Sequence, residues 1–335
     1  MNIKDIAKLA NVSIATVSRV INGTAYVSPK TKEKIDKIIK ESGYKPNLLA
    51  REFVKSKSNT IGVVLPRIDL ATFSLAVQGI SNYFKDKGYS IILINTQSNL
   101  ELEDELSYFD FLEKKRVAGV IYFATEVTDQ HIDVLKKVKY PVVFLGQSNK
   151  KLNLPCVKYD HFNAARSVVK YLIENGHKRI ACLSVKYTNY EFAKLRKEGY
   201  ISALRENNIE IDEEIICDGD WEMTSTVENV KEIMKNSKNK PTAFFTVSYR
   251  KAMATIYALT EQGYKIPEDF SVVGVDECEE SKYYSPSITT ACFDNYYAGE
   301  KAAELMLNII ENKTIEENEI LINYKLSIRK SVAKI

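Results

Sequence analysis

Residues 3–22 read IKDIAKLANVSIATVSRVIN, and this stretch contains two short helix-period patterns with a break between them. The break is Asn11-Val12, after which Ser13 can cap a second helix, because a serine hydroxyl accepts a hydrogen bond from a first-turn N–H group. Apolar residues recur at the spacing of one helix face on both sides of the break: Ile3, Ile6, Ala7 and Ala10 before it, and Val17, Val20 and Ile21 after it. The stretch predicts two helices joined by a tight turn.

A third helix is predicted downstream, after Asn22-Gly23 ends the second. Ser28 is a suitable N-cap, and Pro29 suits the first helical position, where its missing N–H group removes no hydrogen bond. Gly43 ends the pattern, whose inward positions are Ile35, Ile38 and Ile39. Three helices with such a turn are typical of a helix-turn-helix unit, although a generic three-helix bundle has the same pattern.

The motifs themselves decide between these two interpretations. They are IKDIAKLA at 3–10, VS at 12–13, ATVSRVIN at 15–22, VS at 27–28, Thr31, GY at 43–44, PN at 46–47 and AR at 50–51. Further motifs follow in ENGHKRI at 174–180, Arg196 with GY at 199–200, IPED at 266–269, SVVGVD at 271–276 and ITT at 288–290. Together they resemble the lac/gal repressor family over nearly the whole chain. The resemblance implies a DNA-binding transcription regulator with a helix-turn-helix domain over residues 1–46.

In that family the second helix lies in the major groove of DNA. The positions that would face base edges are Ile14, Ala15, Thr16, Ser18 and Arg19. Arg19 can bond a guanine edge with two hydrogen bonds, whereas Ile14 and Ala15 suit a thymine methyl group. Other positions are placed for phosphates, which fix the position of the protein without reading sequence: Ser13, Asn22, Ser28, Thr31 and Tyr44.

Residues 47–59 are identified by the same resemblance as a hinge helix and linker. The segment NLLAREFVKSK at 47–57 would fold on DNA and lie in the minor groove, with Asn47, Ala50 and Arg51 among its contacts. The family usually carries Leu at the position that wedges between bases, and this chain has Phe53. Aromatic wedges are used by proteins that bend DNA, so Phe53 is expected to do the same. The alternative is that Phe53 packs against its counterpart in a dimer.

From residue 60 onward, apolar strand-like runs alternate with helix-period segments. The predicted strands are 61–66, 91–95, 119–123, 142–146, 180–185, 243–247 and 271–276, and the predicted helices include 75–87 and 193–207. This alternation favours parallel sheets with helices on both faces. The resemblance implies an α/β, periplasmic-binding-protein-like core of two doubly wound subdomains. Their expected bounds are about 60–160 with 293–319, and 161–292 with 320–335.

Ligands of open α/β folds bind beyond the carboxyl ends of strands, which indicates Arg67, Asp69, Gln147 and Asp276. The family resemblance adds Arg196 as an effector-binding residue and the single Trp221 as the aromatic placed against a sugar ring. Asp160, near a crossover, is a further predicted effector-binding residue, and two departures from the family pattern add others. The departures are Ser248-Tyr249, where Asn-Asp is frequent, and Phe293, which displaces the usual Gln.

Arg67-Ile68-Asp69 with Phe73-Ser74 resembles the subgroup that regulates disaccharide use, including trehalose repressors. That subgroup reads a sugar phosphate through an Arg after the fourth strand, where this chain has Gln147. An unphosphorylated carbohydrate is therefore the expected effector. The alternative is a regulator that responds to a non-sugar ligand. Whether the effector induces or corepresses stays open.

Charge and composition limit the other possibilities. The formal net charge is +7 over residues 1–60 and −4 over the remainder, which indicates that only the head meets a polyanion. No secretory leader and no run of eighteen apolar residues are found, so a cytoplasmic homodimer on a pseudo-palindromic operator is expected, without membrane contact. The three His and five Cys show no metal or catalytic spacing, so no cofactor, metal or enzymatic activity is predicted. The competing hypothesis is a cytoplasmic sugar-binding receptor without DNA function.

Overall fold

The computed structural model describes residues 2–22, 25–44, 58–96, 102–124, 127–147, 151–186 and 191–335. The chain divides into two compact units, Met1–Asn59 and Thr60–Ile335. The predicted hinge segment, with Asn47, Ala50, Arg51 and Phe53, lies outside the described residues. Among the described residues, no helix is long and apolar enough to cross a membrane.

The first unit contains three helices, which are α1 (Ile3–Ala10), α2 (Ile14–Asn22) and α3 (Pro29–Ser42). Their core consists of side chains from all three helices: Ile6, Ala7, Ala10, Val17 and Ile35. The predicted caps are present, since the hydroxyl oxygen Oγ of Ser13 accepts a hydrogen bond from the Thr16 N–H group at 3.1 Å. Asn11 ends α1 in a left-handed conformation with φ 53°, which turns the chain sharply into α2.

The second unit alternates strands with helices. Its described strands are β1 (Thr60–Leu65), β2 (Ser90–Asn95), β3 (Gly119–Tyr122), β4 (Val142–Gly146), β5 (Cys156–Tyr159), β6 (Ile180–Val185), β7 (Ile216–Gly219), β8 (Ala243–Thr246), β9 (Ser271–Val275), β10 (Thr289–Phe293), β11 (Glu319–Ile322) and β12 (Tyr324–Ser327). Its described helices are α4 (Ala71–Lys85), α5 (Leu102–Lys114), α6 (Asp129–Leu135), α7 (His161–Glu174), α8 (Glu191–Glu206), α9 (Met223–Asn236), α10 (Tyr249–Thr260), α11 (Glu280–Tyr283) and α12 (Asn295–Ile310).

Two six-stranded sheets define two subdomains. The sheet of the N-subdomain has the order β11-β5-β4-β3-β1-β2 and is parallel throughout. The sheet of the C-subdomain has the order β12-β10-β9-β8-β6-β7, in which only β12 is antiparallel to its neighbour. Successive residues of β1 point to opposite faces of the sheet and enter different apolar clusters. Val63 joins the cluster that includes residues of α4 and α12, and Val64 joins the one with Leu112 of α5. Both faces of the sheet are therefore covered.

The chain crosses between the subdomains three times. It leaves the N-subdomain after β5, returns after β10, and crosses again between Ile322 and Tyr324. The third crossing is later than the position near Ile320 expected from the sequence, because β11 pairs with β5 through Ile322↔Tyr159.

Helices α4 and α12 cross so closely that two glycines are required at the contact. A Cβ atom on Gly299 would lie 2.0 Å from the carbonyl oxygen of Ala76, and one on Gly79 would lie 2.1 Å from that of Tyr296. Both obstacles are backbone atoms, which cannot rotate away. The two helices must therefore separate if either glycine gains a side chain.

We expect Gly299→Ala to lower the free energy of unfolding of the second unit by about 1–3 kcal/mol, because the added methyl group overpacks this crossing. Urea denaturation of the full chain measures the change. Ser81→Ala, on the exposed side of α4, is the matched control and should leave stability nearly unchanged. Equal effects of the two substitutions would contradict the close crossing.

Lys251 of α10 is an unusual member of the C-subdomain core, since it is only 1% exposed. Its ammonium nitrogen donates a hydrogen bond to the Thr226 hydroxyl at 3.0 Å. Burial lowers the pKa of Lys251 to about 8, although the nearby charges of Asp220 and Asp218 act in the opposite direction. A lysine in this position therefore destabilises the folded state as long as it stays protonated.

We expect Lys251→Met to raise the free energy of unfolding by about 1–3 kcal/mol at neutral pH. The lowered pKa fixes the sign of the pH dependence. As pH rises from about 8 toward 10.5, the folded chain loses the proton first, so the penalty in the original chain disappears and the gap narrows. Urea denaturation at neutral pH and near pH 10 measures the gap. The exposed Lys235→Met serves as control, and a gap that widened at high pH would be the contrary result.

Candidate functional site

One surface of the first unit carries the residues that the sequence assigned to DNA bases. Ile14 is 45% exposed although it is apolar, and Ala15 and Arg19 are exposed beside it. Thr16 and Ser18 are half-buried, and the Thr16 hydroxyl lies 2.9 Å from that of Ser13. Helix α2 therefore presents a small surface that combines apolar groups with one long cation.

The residues assigned to phosphates lie at helix ends. Ser13 and Ser28 are exposed caps, and the Ser28 hydroxyl is 2.8 Å from that of Thr31. Asn22 is the last residue of α2, and the half-buried Tyr44 packs against the head core. Hydroxyl groups and first-turn N–H groups at helix starts are suited to anions.

The second unit contains a cavity of about 430 Å³ between its subdomains. Eight of the eleven residues that the sequence assigned to the effector line it: Arg67, Phe73, Gln147, Arg196, Trp221, Ser248, Tyr249 and Asp276. The other three, Asp69, Asp160 and Phe293, do not line it. Each makes structural contacts nearby.

Asp69 accepts two hydrogen bonds from Arg67, at 3.0 and 2.5 Å, and so orients that guanidinium. Asp160 caps α7 and accepts hydrogen bonds from the N–H group and side chain of Asn163. Phe293 is buried behind the cavity wall with its ring 5.3 Å from that of His161. The expectation that these three residues face the cavity is thus not met.

Arg196 is held in the cavity wall by three different acceptors. Its side chain is nearly buried, and its Nη2 atom is 2.7 Å from the Asp276 carboxylate. It also donates to the Val247 carbonyl at 2.6 Å and to Nδ1 of His161 at 3.1–3.3 Å. Asp276 follows β9 with φ 64°, a left-handed conformation that is uncommon for residues other than glycine.

His161 is neutral in this arrangement. Burial and the charge of Arg196 hold its pKa well below the usual value. Its Nδ1 atom therefore accepts from Arg196 instead of opposing it. The C-subdomain wall consequently offers a donor, Arg196, and an acceptor, Asp276, whose charges cancel.

Aromatic rings line the cavity beside this pair. The centroids of Phe192 and Trp221 lie 5.3 Å apart, and the guanidinium carbon of Arg196 lies 5.2 Å from the Phe192 centroid. On the N-subdomain side, Phe73 contacts Phe123 edge to face at 5.7 Å. A flat apolar surface therefore adjoins the hydrogen-bonding groups.

Two ion pairs connect the subdomains at the mouth of the cavity. Arg67 is 3.5 Å from Glu222, and Asp69 is 3.9 Å from Arg250. All four groups are partly exposed, so each pair contributes at most about 1 kcal/mol. Contacts of this strength can hold a closed arrangement without preventing it from opening.

Sequence reasoning missed several residues of the cavity wall. They include Phe192, which lies one helical turn before Arg196, and the crossover residues Tyr159 and His161. The spacing of Phe192 and Arg196 could have revealed the first. Glu105 of α5 and His131 of α6 also line the cavity, and neither is at a strand end. No sequence signal marks them.

Comparisons with known proteins agree with this arrangement. Residues 2–47 match the model of the lacI family of bacterial regulatory proteins, and residues 58–330 match that of the periplasmic binding proteins and sugar binding domain of the LacI family. The HTH-type transcriptional repressor PurR of Mannheimia succiniciproducens is 34% identical over 335 residues, which cover 99% of each chain.

Two solved structures are similar over 99% of both chains. One is the lac repressor dimer bound to operator and the anti-inducer ONPF, with 28% identity and a TM-score of 0.89. The other is a complex of the transcriptional regulator CelR with cellobiose, with 26% identity and a TM-score of 0.75. The predicted fold class, a helix-turn-helix head with a periplasmic-binding-protein-like core of two subdomains, is confirmed. This chain belongs to the lacI family of bacterial regulatory proteins and is a DNA-binding transcriptional repressor with a ligand-binding core.

Proposed function

We propose that this protein is a cytoplasmic, homodimeric repressor of carbohydrate-utilisation genes whose operator affinity is controlled by a sugar in the core cavity. The observation that carries the effector class is the aromatic pair Phe192–Trp221 beside the buried Arg196–Asp276 pair. A pyranose has apolar C–H faces and hydroxyl edges. Its faces suit the rings, and its hydroxyls suit a neighbouring donor and acceptor.

The CelR–cellobiose complex supports this proposal, since a similar fold binds a carbohydrate there. The resemblance of Arg67-Ile68-Asp69 to disaccharide-regulating repressors points in the same direction. Similarity to PurR makes a non-sugar effector the second candidate, and the ligand experiment below separates the two.

For DNA, we assign base contacts to the exposed surface of α2, with Arg19 as the main reader of a guanine. Ser13, Asn22, Ser28, Thr31 and Tyr44 hold the phosphates, and Asn47, Ala50, Arg51 and the Phe53 wedge act in the minor groove. The domains would be a head over 1–46, a hinge over 47–59 and the core over 60–335. The lac repressor dimer bound to operator supports a dimer on DNA, and two heads of a homodimer would bind the half-sites of a pseudo-palindrome.

The effector would act by favouring one of two arrangements of the subdomains. A ligand shifts such an equilibrium only by its difference in affinity for the two states. The ion pairs of Arg67 and Asp69 join the two subdomains across the cavity. They would favour the closed arrangement with or without ligand, and so set the equilibrium that the effector shifts.

We expect Arg19→Ala to weaken binding to the operator about 5- to 150-fold for each half-site, because a bidentate guanine contact is worth about 1–3 kcal/mol. Binding to random duplex should fall much less, since only the charge is lost there. Fluorescence anisotropy with both duplexes measures this, after the operator is selected from a random pool. Lys37→Ala on α3 removes the same charge and is the control. Equal losses on both duplexes for Arg19→Ala would reject its role as a reader.

We expect a sugar from a panel of mono- and disaccharides to raise the thermal unfolding midpoint of the core, and Trp221→Ala to abolish that shift. The lost stacking surface explains the loss. Phe111→Ala, an exposed aromatic truncation outside the cavity, is the control and should retain the shift. A shift with nucleobases and none with any sugar would overturn the carbohydrate effector and leave the DNA function intact.

A further inference from the structure

The N-subdomain wall of the cavity carries a second group of polar side chains, which we call the N-wall cluster: Glu105 of α5, His131 of α6 and Gln147 after β4. His131 is 2% exposed and Gln147 is 8% exposed. They face the occupant from the side opposite to Arg196 and Asp276, which belong to the C-subdomain.

The hydrogen bonds of His131 fix its tautomer. The backbone N–H group of Thr128 donates to Nδ1 of His131 at 3.2 Å, so Nδ1 must be the acceptor. The proton of the neutral ring is therefore on Nε2. That atom is buried, and it has no hydrogen-bond partner among the described residues.

Glu105 supplies an acceptor next to this donor. Its Oε1 atom accepts a hydrogen bond from the Tyr122 hydroxyl at 2.7 Å. Its Oε2 atom is 3.6 Å from His131 Nε2, which is longer than a hydrogen bond but close enough for the ring to act on the carboxylate electrostatically. Burial acts against the charge of Glu105, but the neighbouring His131 and Tyr122 outweigh it and lower the pKa of the carboxyl group. Glu105 is consequently an ionised acceptor at neutral pH.

Gln147 supplies the second donor. Its side-chain nitrogen Nε2 is buried and, in the part of the chain that the structure describes, makes no hydrogen bond. Buried donors without partners are rare, because each loses its bonds to water. Two such donors on one cavity wall indicate that a ligand in the cavity accepts hydrogen bonds from both.

We propose that the N-wall cluster binds the vicinal hydroxyl groups of a second sugar ring, so that the effector is an uncharged disaccharide or comparable glycoside held at both ends. This inference rests on the proposed carbohydrate effector. Each hydroxyl can both donate and accept a hydrogen bond. Two neighbouring hydroxyls could therefore accept from His131 and Gln147 and donate to the Glu105 carboxylate. The Arg196–Asp276 pair offers the same combination to the first ring.

The charge of the cluster excludes other occupants of this end. A phosphate or carboxylate would be repelled by the ionised Glu105. An ammonium group would satisfy Glu105 but would oppose the two N–H donors. A flat apolar group would leave the two buried donors, His131 Nε2 and Gln147 Nε2, unpaired.

The test uses the full-length protein and isothermal titration with cellobiose, maltose, trehalose, lactose and sucrose, with glucose and trehalose 6-phosphate as comparison ligands. The neutral disaccharide that binds best should bind at least tenfold more tightly than glucose and than the phosphorylated sugar. Glu105→Gln, which keeps the shape but removes the charge, should weaken its binding about tenfold, and Gln147→Leu should do the same. Neither substitution should change glucose binding much, since glucose would use the Arg196 end.

Asp104→Asn is the matched control, because it makes the same charge change one residue away on the exposed side of α5 and should leave binding unchanged. Unfolding midpoints confirm that each variant is folded. If Glu105→Gln and Gln147→Leu both bind the disaccharide normally while Trp221→Ala does not, the N-wall inference is wrong and the sugar effector stands. Tighter binding of trehalose 6-phosphate also overturns it. If no sugar binds the unmodified protein, the proposed effector class and this inference fall together.

Discussion

The buried guanidinium of Arg196 imposes the constraint around which the cavity is organised. An arginine cannot lose its charge, so a position with almost no water requires acceptors on every side. They come from three separate segments: the Val247 carbonyl just after β8, the Asp276 carboxylate just after β9, and the His161 ring at the start of α7. Because the ion pair needs all of them in place, it fixes the relative position of these strand ends and of α7.

The two walls of the cavity differ in how their polar groups are satisfied. Arg196, Asp276 and His161 bond to one another on the C-subdomain wall, so that wall is preformed. On the opposite wall, His131 and Gln147 keep donors that nothing in the described protein completes. A preformed wall positions a ligand without rearranging. An incomplete wall gains new hydrogen bonds when a ligand binds. A ligand that bonds to both walls at once would therefore favour the closed arrangement of the subdomains. The weak ion pairs of Arg67 and Asp69 also favour that arrangement.

The sequence predicted the elements that depend on local signals. The caps and helix-face spacing of residues 3–43 gave the three helices of the head, because a serine hydroxyl or a left-handed residue acts within one turn. Strands β1 to β4, β6, β8 and β9 were found from continuous apolar runs, which are typical of strands buried on both faces. Strands β5, β7, β10, β11 and β12 were missed. They are short, and several lie at or near sheet edges, so their apolar pattern is weak; β11, for example, is formed only by pairing with β5 more than a hundred residues earlier in the chain.

The sequence alone therefore determined the family, the helical head, the alternating core and most of the residues at strand ends that reach the cavity, such as Arg67, Gln147 and Asp276. It could not determine which way a side chain points after it leaves a strand or a helix. Asp69, Asp160 and Phe293 occupy the expected segments but turn to Arg67, to the start of α7 and to the core. Glu105 and His131 reach the cavity from helices that carry no sequence signal. Only the tertiary structure decided these placements, because they depend on how distant helices pack against the sheet and on which buried polar groups find partners.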